Sequence, residues 1–284
     1  MEALDDKTIK KLDLTALKVR KHIIDMLYRA ESGHPGGSLS AVDAIVSLYF
    51  AHMHHNPQKP NDSNRDRFIL SKGHAAPALY AVLAEQGYFS HKELKKLRKI
   101  NCMLQGHPVC LHTPGIEAST GSLGHGLSFA CGVALSGKID EKDYRVYVML
   151  GDGETDEGQI WEAASAASHY KLDNLVALID RNFLQIDGNT EEVMKLESIR
   201  DRWAAFGWHV IEIDGHNIRD ILRALQETST VRNTPSVIIL NTVKGKGVSF
   251  MENNVDFHGV PPNKMEHAKA LEELEAEQKK LEED

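Results

Sequence analysis

Apolar residues return at helical spacing from Leu14 to Tyr28, with Leu17, Ile24 and Leu27 on one face, and the run stops at Ser32-Gly33-His34-Pro35-Gly36-Gly37. Ser40 reads as the N-cap of a second helix that carries Val42, Ile45, Leu48 and Tyr49 on one side and ends before Asn56-Pro57. Arg67 to Leu70 is a predicted short strand running into Ser71-Lys72-Gly73-His74, after which Ala75 to Gln86 is helical again. From His107 to Gly126 the periodicity disappears in a stretch rich in Gly, Pro, Ser, Thr and His. An irregular segment of that length in a compact protein usually has a function.

Beyond residue 145 the pattern becomes regular. Val146 to Leu150, Leu175 to Ile179, His209 to Ile213 and Val237 to Leu240 are short apolar runs rich in branched side chains, which predicts buried strands. Gln159 to His169, Val193 to Phe206 and Asn217 to Gln226 are the predicted helices between them. Strand, helix and strand repeating at about 30 residues implies right-handed crossovers and an α/β fold: a parallel sheet flanked by helices on both faces. In such sheets ligands sit at the carboxyl ends of the strands. No repeat, linker or composition break divides the body, so residues 1–263 are expected to form a single α/β domain, followed by a charged, exposed helical tail over 264–284.

Composition narrows the function classes. The chain has 284 residues, 42% of them hydrophobic, enough apolar material for a full core. Lys and Arg number 33 against 41 acids, a net charge of -8, and the tail from Glu266 onward carries much of the excess. The nearly balanced body shows no basic stripe, which argues against nucleic-acid binding; the run around Lys95, Lys96, Arg98 and Lys99 reads as a solvated helix face. No stretch approaches the roughly 18 apolar residues of a membrane span, and the acidic start lacks a signal-peptide core, so a soluble cytoplasmic protein with no membrane partner is expected. Cys102, Cys110 and Cys131 are odd in number and lack a CxxC spacing, which suggests neither a disulfide framework nor a zinc site. Fifteen histidines, several beside Gly or Pro, are the first hint of chemistry.

The next hint is Gly151-Asp152-Gly153, just past the predicted strand Val146 to Leu150, with glycines that let a ligand approach the backbone. By itself this is also an ordinary βα turn. Thirty residues on, past the following strand, comes Asn182, which one βαβ period can bring beside Asp152. A carboxylate, an amide oxygen and a backbone carbonyl such as that of Leu184 are hard oxygen ligands suited to Mg²⁺ or Ca²⁺, with positions left for phosphate oxygens. The string lacks the Gly-Lys-Ser/Thr of a P-loop and the third glycine of a dinucleotide fingerprint, so neither an NTPase nor a nicotinamide enzyme is supported.

Gly151-Asp152-Gly153 followed at this distance by Asn182 resembles the thiamine diphosphate motif, in which Asp and Asn hold the metal that anchors the cofactor. Gly33-His34-Pro35-Gly36, Ser71-Lys72-Gly73-His74-Ala75, Gly106-His107-Pro108, Thr120-Gly121-Ser122-Leu123-Gly124 and Phe257-His258-Gly259 resemble, in order and spacing, the signatures of the transketolases over nearly the whole chain. The resemblance implies that Asp152, Asn182 and the carbonyl of Leu184 bind a metal, Mg²⁺ with Ca²⁺ or Mn²⁺ as alternatives. It implies that Gly153, His74, Lys244 and His258 contact the diphosphate and that Gly121 and Leu123 touch the aminopyrimidine. His34, His107 and His258 would line the sugar channel as proton carriers, a role suited to imidazole. The remaining histidines considered, His22, His52, His54, His55, His91, His169, His209 and His267, are expected to be structural, and Trp161, Trp203 and Trp208 to be packing residues.

A single-chain transketolase is much longer. Its second half supplies the glutamate that protonates the aminopyrimidine and the arginines that hold the sugar phosphate, and neither can be matched here. Glu157 resembles the family acid that reaches across the subunit interface toward that glutamate. The resemblance therefore implies half an enzyme. This chain would be the diphosphate-binding subunit, working with a separate C-terminal subunit in a symmetric assembly with two copies of each, and moving two-carbon ketol units between sugar phosphates. A transketolase acting on a non-standard ketose and the α subunit of a 2-oxo acid dehydrogenase are the alternative enzymes, and a degenerate interaction module is the non-enzymatic one.

Overall fold

The computed structural model describes residues 5–195 and 198–283. The chain begins with α1 (Asp6–Ala30), capped by Asp5, whose Oδ1 accepts the Thr8 amide at 2.7 Å. It continues through α2 (Pro35–Ser40), α3 (Val42–Ser47), strand β1 (Arg67–Leu70), α4 (Ala76–Gln86), α5 (His125–Ile139), β2 (Val146–Gly151), α6 (Gly158–His169) and β3 (Leu175–Arg181). A two-residue ribbon follows, β4 (Leu184–Gln185) with β5 (Gly188–Asn189), then α7 (Thr190–Val193), α8 (Ile199–Ala205), β6 (His209–Asp214), α9 (Ile218–Thr228), β7 (Ser236–Asn241) and α10 (Lys264–Glu283).

The five long strands form one parallel sheet in the order β1-β2-β3-β7-β6. Alternation along each strand divides the apolar residues between two cores. Phe68, Leu70, Tyr147, Met149, Val176 and Leu178 face α1, α3, α4, α9 and α10. Ile69, Val146, Val148, Leu150, Ala177 and Ile179 face α5, α6 and α8. Both sides are covered, which is why the central strands read as continuous apolar runs. The α/β expectation holds. Among the described residues no helix is long and apolar enough to cross a membrane.

Several local expectations change. Ser40 is the last residue of α2, not a cap, and its hydroxyl donates to Asp180 Oδ2 at 2.6 Å. The expected second helix is broken into α2, α3 and a π turn at Leu48–His52. β6 is an edge strand, half-exposed because β7 pairs with only one of its sides. The helix expected over Val193 to Phe206 is two short helices with a break between them, and positions 196 and 197 lie outside the described residues. The sequence pattern gives no sign of α5: its Ala, Gly and Ser residues provide little contrast between faces, although Leu127, Ala130 and Ala134 are buried at helical spacing. The acidic tail is a helix, but not a fully solvated one. Ala270 and Leu274 are buried in the first core beside α1, and His267 stacks on Tyr28 with ring centroids 4.1 Å apart.

Candidate active site

The carboxyl ends of β1, β2, β3 and β7 converge on one spot because the four strands run parallel and in register, with Gly151 opposite Asp180 and Asp180 opposite Leu240. Asp152, the first residue past β2, is 2% exposed. Its Oδ1 accepts the Gly153 amide at 2.8 Å and its Oδ2 the Phe183 amide at 2.7 Å, which ties the turn after β2 to the turn after β3. Phe183 takes a left-handed backbone, φ 62°, uncommon for an aromatic residue, and the Arg181 guanidinium lies 4.2 Å over its ring. The same turn brings Asn182 to the spot, its Oδ1 accepting the Leu184 amide at 3.2 Å. The Leu184 carbonyl accepts from Lys244 Nζ at 2.7 Å, so the loop after β7 closes the group. Burial first, and the neighbouring Asp180 second, push the Asp152 carboxyl above the usual range.

Beside these oxygens stands a cluster of nitrogens. Lys244 Nζ is 2.8 Å from His258 Nδ1. The His258 ring stacks on His74 at 5.5 Å, and His34 lies 5.3 Å from His74, 5.7 Å from His258 and 6.4 Å from His107, centroid to centroid. Every one of these bases is held toward its neutral form. Burial, then Arg98, His107 and Lys244, lower His34 to about 4. Burial, then Lys244, lower His258 to about 3. His74 is driven well below the usual imidazole range by burial and by Lys72, and Lys244 falls to about 8 for the same two reasons. His34 Nδ1 is buried with no hydrogen-bond partner.

Four polar features that the sequence pattern does not reveal hold this arrangement. The Lys72 ammonium pairs with Asp180, at 1% and 0% side-chain exposure, and Asp180 also accepts from Ser40, Thr242 and Asn182. Burial works against the Asp180 carboxylate, but Lys72 and the two hydroxyls outweigh it and hold it below the usual range. Buried Glu154 accepts from Ser71 and, at 2.9 Å each, from the amides of Gly124 and Gly151, joining three loops. Arg20 donates to both oxygens of buried Asp43 and to the Lys246 carbonyl, while His216 Nδ1 meets Asp43 at 2.6 Å and its Nε2 accepts the Val243 amide at 2.8 Å. Those bonds brace the loop carrying Lys244 on both sides. Finally, the Arg98 guanidinium lies against Gly106, where a Cβ would come within 2.9 Å of its Cζ, and its charge acts on both His34 and His107. No periodic signal marks these residues; only His216 shares the histidine excess.

The donor set fits an anionic diphosphate with a hard cation. Asp152 and Asn182 offer buried oxygens, and the Lys244 ammonium beside them is bonded to the Leu184 carbonyl and His258 Nδ1 rather than to a carboxylate. Comparison with known proteins supports the diphosphate. Residues 13–282 match the family model described as transketolase, thiamine diphosphate binding domain. The chain belongs to the transketolase family. It is 46% identical over 274 residues to a protein named as one of the subunits of the apulose-4-phosphate transketolase of Phocaeicola vulgatus, covering 96% of this chain and 97% of that one. It is 45% identical over 259 residues to the 6-deoxy-6-sulfo-D-fructose transketolase subunit SqwG of Clostridium sp. strain MSTE9, covering 91% and 94%. The solved transketolase of Campylobacter jejuni superposes with a TM-score of 0.85 at 31% identity over 96% of this chain, which spans 48% of that protein. These matches favour transketolase over a 2-oxo acid dehydrogenase α subunit.

On this transketolase domain the loops named from sequence do meet. Gly73 approaches so closely that a Cβ there would lie 2.8 Å from the Gly121 amide, and a Cβ on Gly121, φ 143°, would meet the His107 ring at 3.1 Å. Thr120 anchors this loop by donating to the Leu70 carbonyl at 2.7 Å. Leu123 lies in the turn before Gly124, the N-cap of α5, and is half-buried. Gly153 faces Gln185, whose Oε1 would be 2.6 Å from a Cβ there. Glu157 stands apart from the buried cluster as the exposed N-cap of α6.

Proposed function

We propose that this chain is the diphosphate-binding subunit of a two-chain transketolase that moves a two-carbon ketol unit from a ketose to an aldose. The observation that carries the reading is the near-complete, end-to-end match to two relatives named as transketolase subunits, together with the buried Asp152–Asn182 pair at the strand ends. Asp152, Asn182 and the Leu184 carbonyl hold Mg²⁺, which Ca²⁺ or Mn²⁺ can replace. Lys244, His74, His258 and Gly153 contact the diphosphate, and Gly121 and Leu123 border the aminopyrimidine. Thiamine diphosphate bound there would supply the nucleophilic carbon for the two-carbon transfer.

The chain's own work is placement and proton transfer. His34, His107 and His258, all held neutral near pH 7, are free to accept a hydroxyl proton, each becoming imidazolium until it passes that proton on, or to donate a hydrogen bond. Glu157, exposed at the rim, faces the separate C-terminal subunit, which provides the acid for the aminopyrimidine. Two copies of each chain complete the assembly in the cytoplasm. The relatives act, by their names, on a sugar phosphate and a sulfosugar, so an anionic and non-standard ketose is the preferred substrate class; the positive charge of Arg98 beside His34 and His107 suits it.

The test is co-purification of the tagged chain with Mg²⁺ and thiamine diphosphate, followed by a two-carbon transfer assay on the complex and on the chain alone. Activity confined to the complex is expected, with Asp152→Ala abolishing cofactor binding in calorimetry. Activity of the chain alone, or unchanged affinity in the variant, would overturn the reading.

A further inference from the structure

We propose that His22, Glu85 and His91 form a second metal site, remote from the strand ends, that takes a borderline transition ion such as Zn²⁺. The three residues come from separate segments: His22 from α1, Glu85 from the last turn of α4, and His91 from the 3₁₀ turn His91–Lys96. His22 Nε2 lies 2.8 Å and His91 Nε2 2.7 Å from the same oxygen, Glu85 Oε1. All three ligand atoms fall within 4.8 Å of one another, and the two imidazole centroids are 5.4 Å apart. Two imidazole nitrogens and one carboxylate oxygen are a donor set found in open zinc sites, where water fills the remaining position. Nitrogen donors also separate this site from the oxygen set at Asp152, since Mg²⁺ prefers oxygen and keeps its waters.

The surroundings hold the donor atoms in place. Lys18 Nζ holds the other carboxylate oxygen, Oε2, at 2.7 Å, which fixes the plane of the group and leaves Oε1 as a single ligand atom. As hydrogen bonds alone, both rings must present Nε2–H to one oxygen; with an ion, the three atoms spread slightly around it and both protons move to Nδ1. Glu85 is 8% exposed and His22 28%, while His91 at 50% leaves the ion a way in. The Lys18 ammonium opposes a second cation, so micromolar rather than nanomolar affinity is expected.

Occupation would tie α1 to the turn that leads to Arg98. α1 itself leads to Gly33-His34, so the ion would clamp the two segments that meet where Arg98 lies against Gly33 and Gly106. The site needs neither the cofactor nor the partner subunit, and its test does not depend on the proposed reaction.

Zn²⁺ is titrated calorimetrically into the full chain, and Co²⁺ is used in parallel for its visible absorption. One equivalent bound at micromolar Zn²⁺ is expected, with nitrogen-ligated Co²⁺ bands, an affinity at least tenfold weaker in His91→Ala and in His22→Ala, and no change in Asp152→Ala or His258→Ala. His91 is half-exposed, so its removal should leave the near-ultraviolet circular dichroism intact and the comparison valid. No uptake at micromolar Zn²⁺, uptake unaffected by His91→Ala, or uptake lost in Asp152→Ala or His258→Ala would overturn the assignment.

Discussion

Replacing Lys72 by Met removes the ammonium that faces Asp180 and keeps most of the buried stem. Both groups are almost wholly excluded from water, and taking one member from such a pair typically costs about 3–5 kcal/mol because the other charge is left uncompensated. Asp180 would keep the Ser40 and Thr242 hydroxyls and the Asn182 amide, which places the loss at the lower end, about 3 kcal/mol. The sign with pH follows from the same contacts. In the wild type the Asp180 carboxyl lies below the usual range, so its pairing stabilises the fold above the ordinary carboxylate pKa and is lost as the pH falls through the lower folded value. Without Lys72, burial dominates and the carboxyl rises; the penalty is then complete above that raised value and fades as the pH drops toward the ordinary one. Urea unfolding of the full chain at neutral pH and at pH 4 should show the gap between wild type and Lys72→Met narrowing on acidification. Adding Asp180→Asn, which removes the stranded charge, should restore much of the loss at pH 7. A gap that is independent of pH and unchanged by the second substitution would refute the buried-pair argument.

Other outcomes follow from the loops around this pair. His216→Ala strips the Val243 amide of its acceptor and Asp43 of a bond, and should lower stability by about 2 kcal/mol while weakening cofactor affinity, since the Lys244 loop loses one brace; thermal unfolding and calorimetry check both. Lys244, lowered to about 8, is charged at pH 7 and neutral at pH 9, so the affinity for inorganic diphosphate with Mg²⁺ should fall more steeply across that interval in the wild type than in Lys244→Met. His107 stands farthest from the diphosphate side of the histidine cluster, and His107→Ala should slow two-carbon transfer by about 10²–10⁴ with cofactor affinity nearly unchanged, as steady-state rates of the two-chain complex and calorimetry would show.

The parts of the molecule that are legible in the sequence are those where neighbours along the chain do the same physical work. Val146 to Leu150 and Leu175 to Ile179 are apolar on both faces because helices cover both sides of the sheet, and that leaves a pattern even without knowledge of the partner strands. Asp152 and Asn182 are readable because each follows such a strand, and parallel pairing then forces them together. α5 leaves no such trace. Its buried residues are one Leu with Ala and Gly, its exposed face carries Phe129, and it starts from Gly124 in a left-handed conformation inside what reads as a loop.

The site's support is hidden for a different reason. Glu154 and Glu157 are three residues apart in one acidic turn; one is buried and joins three loops, the other is exposed at the rim, and only the folded chain distinguishes them. Lys72 and Asp180 lie 108 positions apart, and nothing local requires a lysine to be buried there. Pattern reading assigns polar residues to the surface because an unpaired buried charge is costly, and it fails where one charge is buried expressly to hold another. In this chain the failures gather at the strand ends: Lys72, Glu154, Asp180, and the Arg20–Asp43–His216 brace behind the Lys244 loop. A core that keeps so many charges at one end of its sheet has accepted a stability penalty there, and a functional site is where such violations of local consistency are expected.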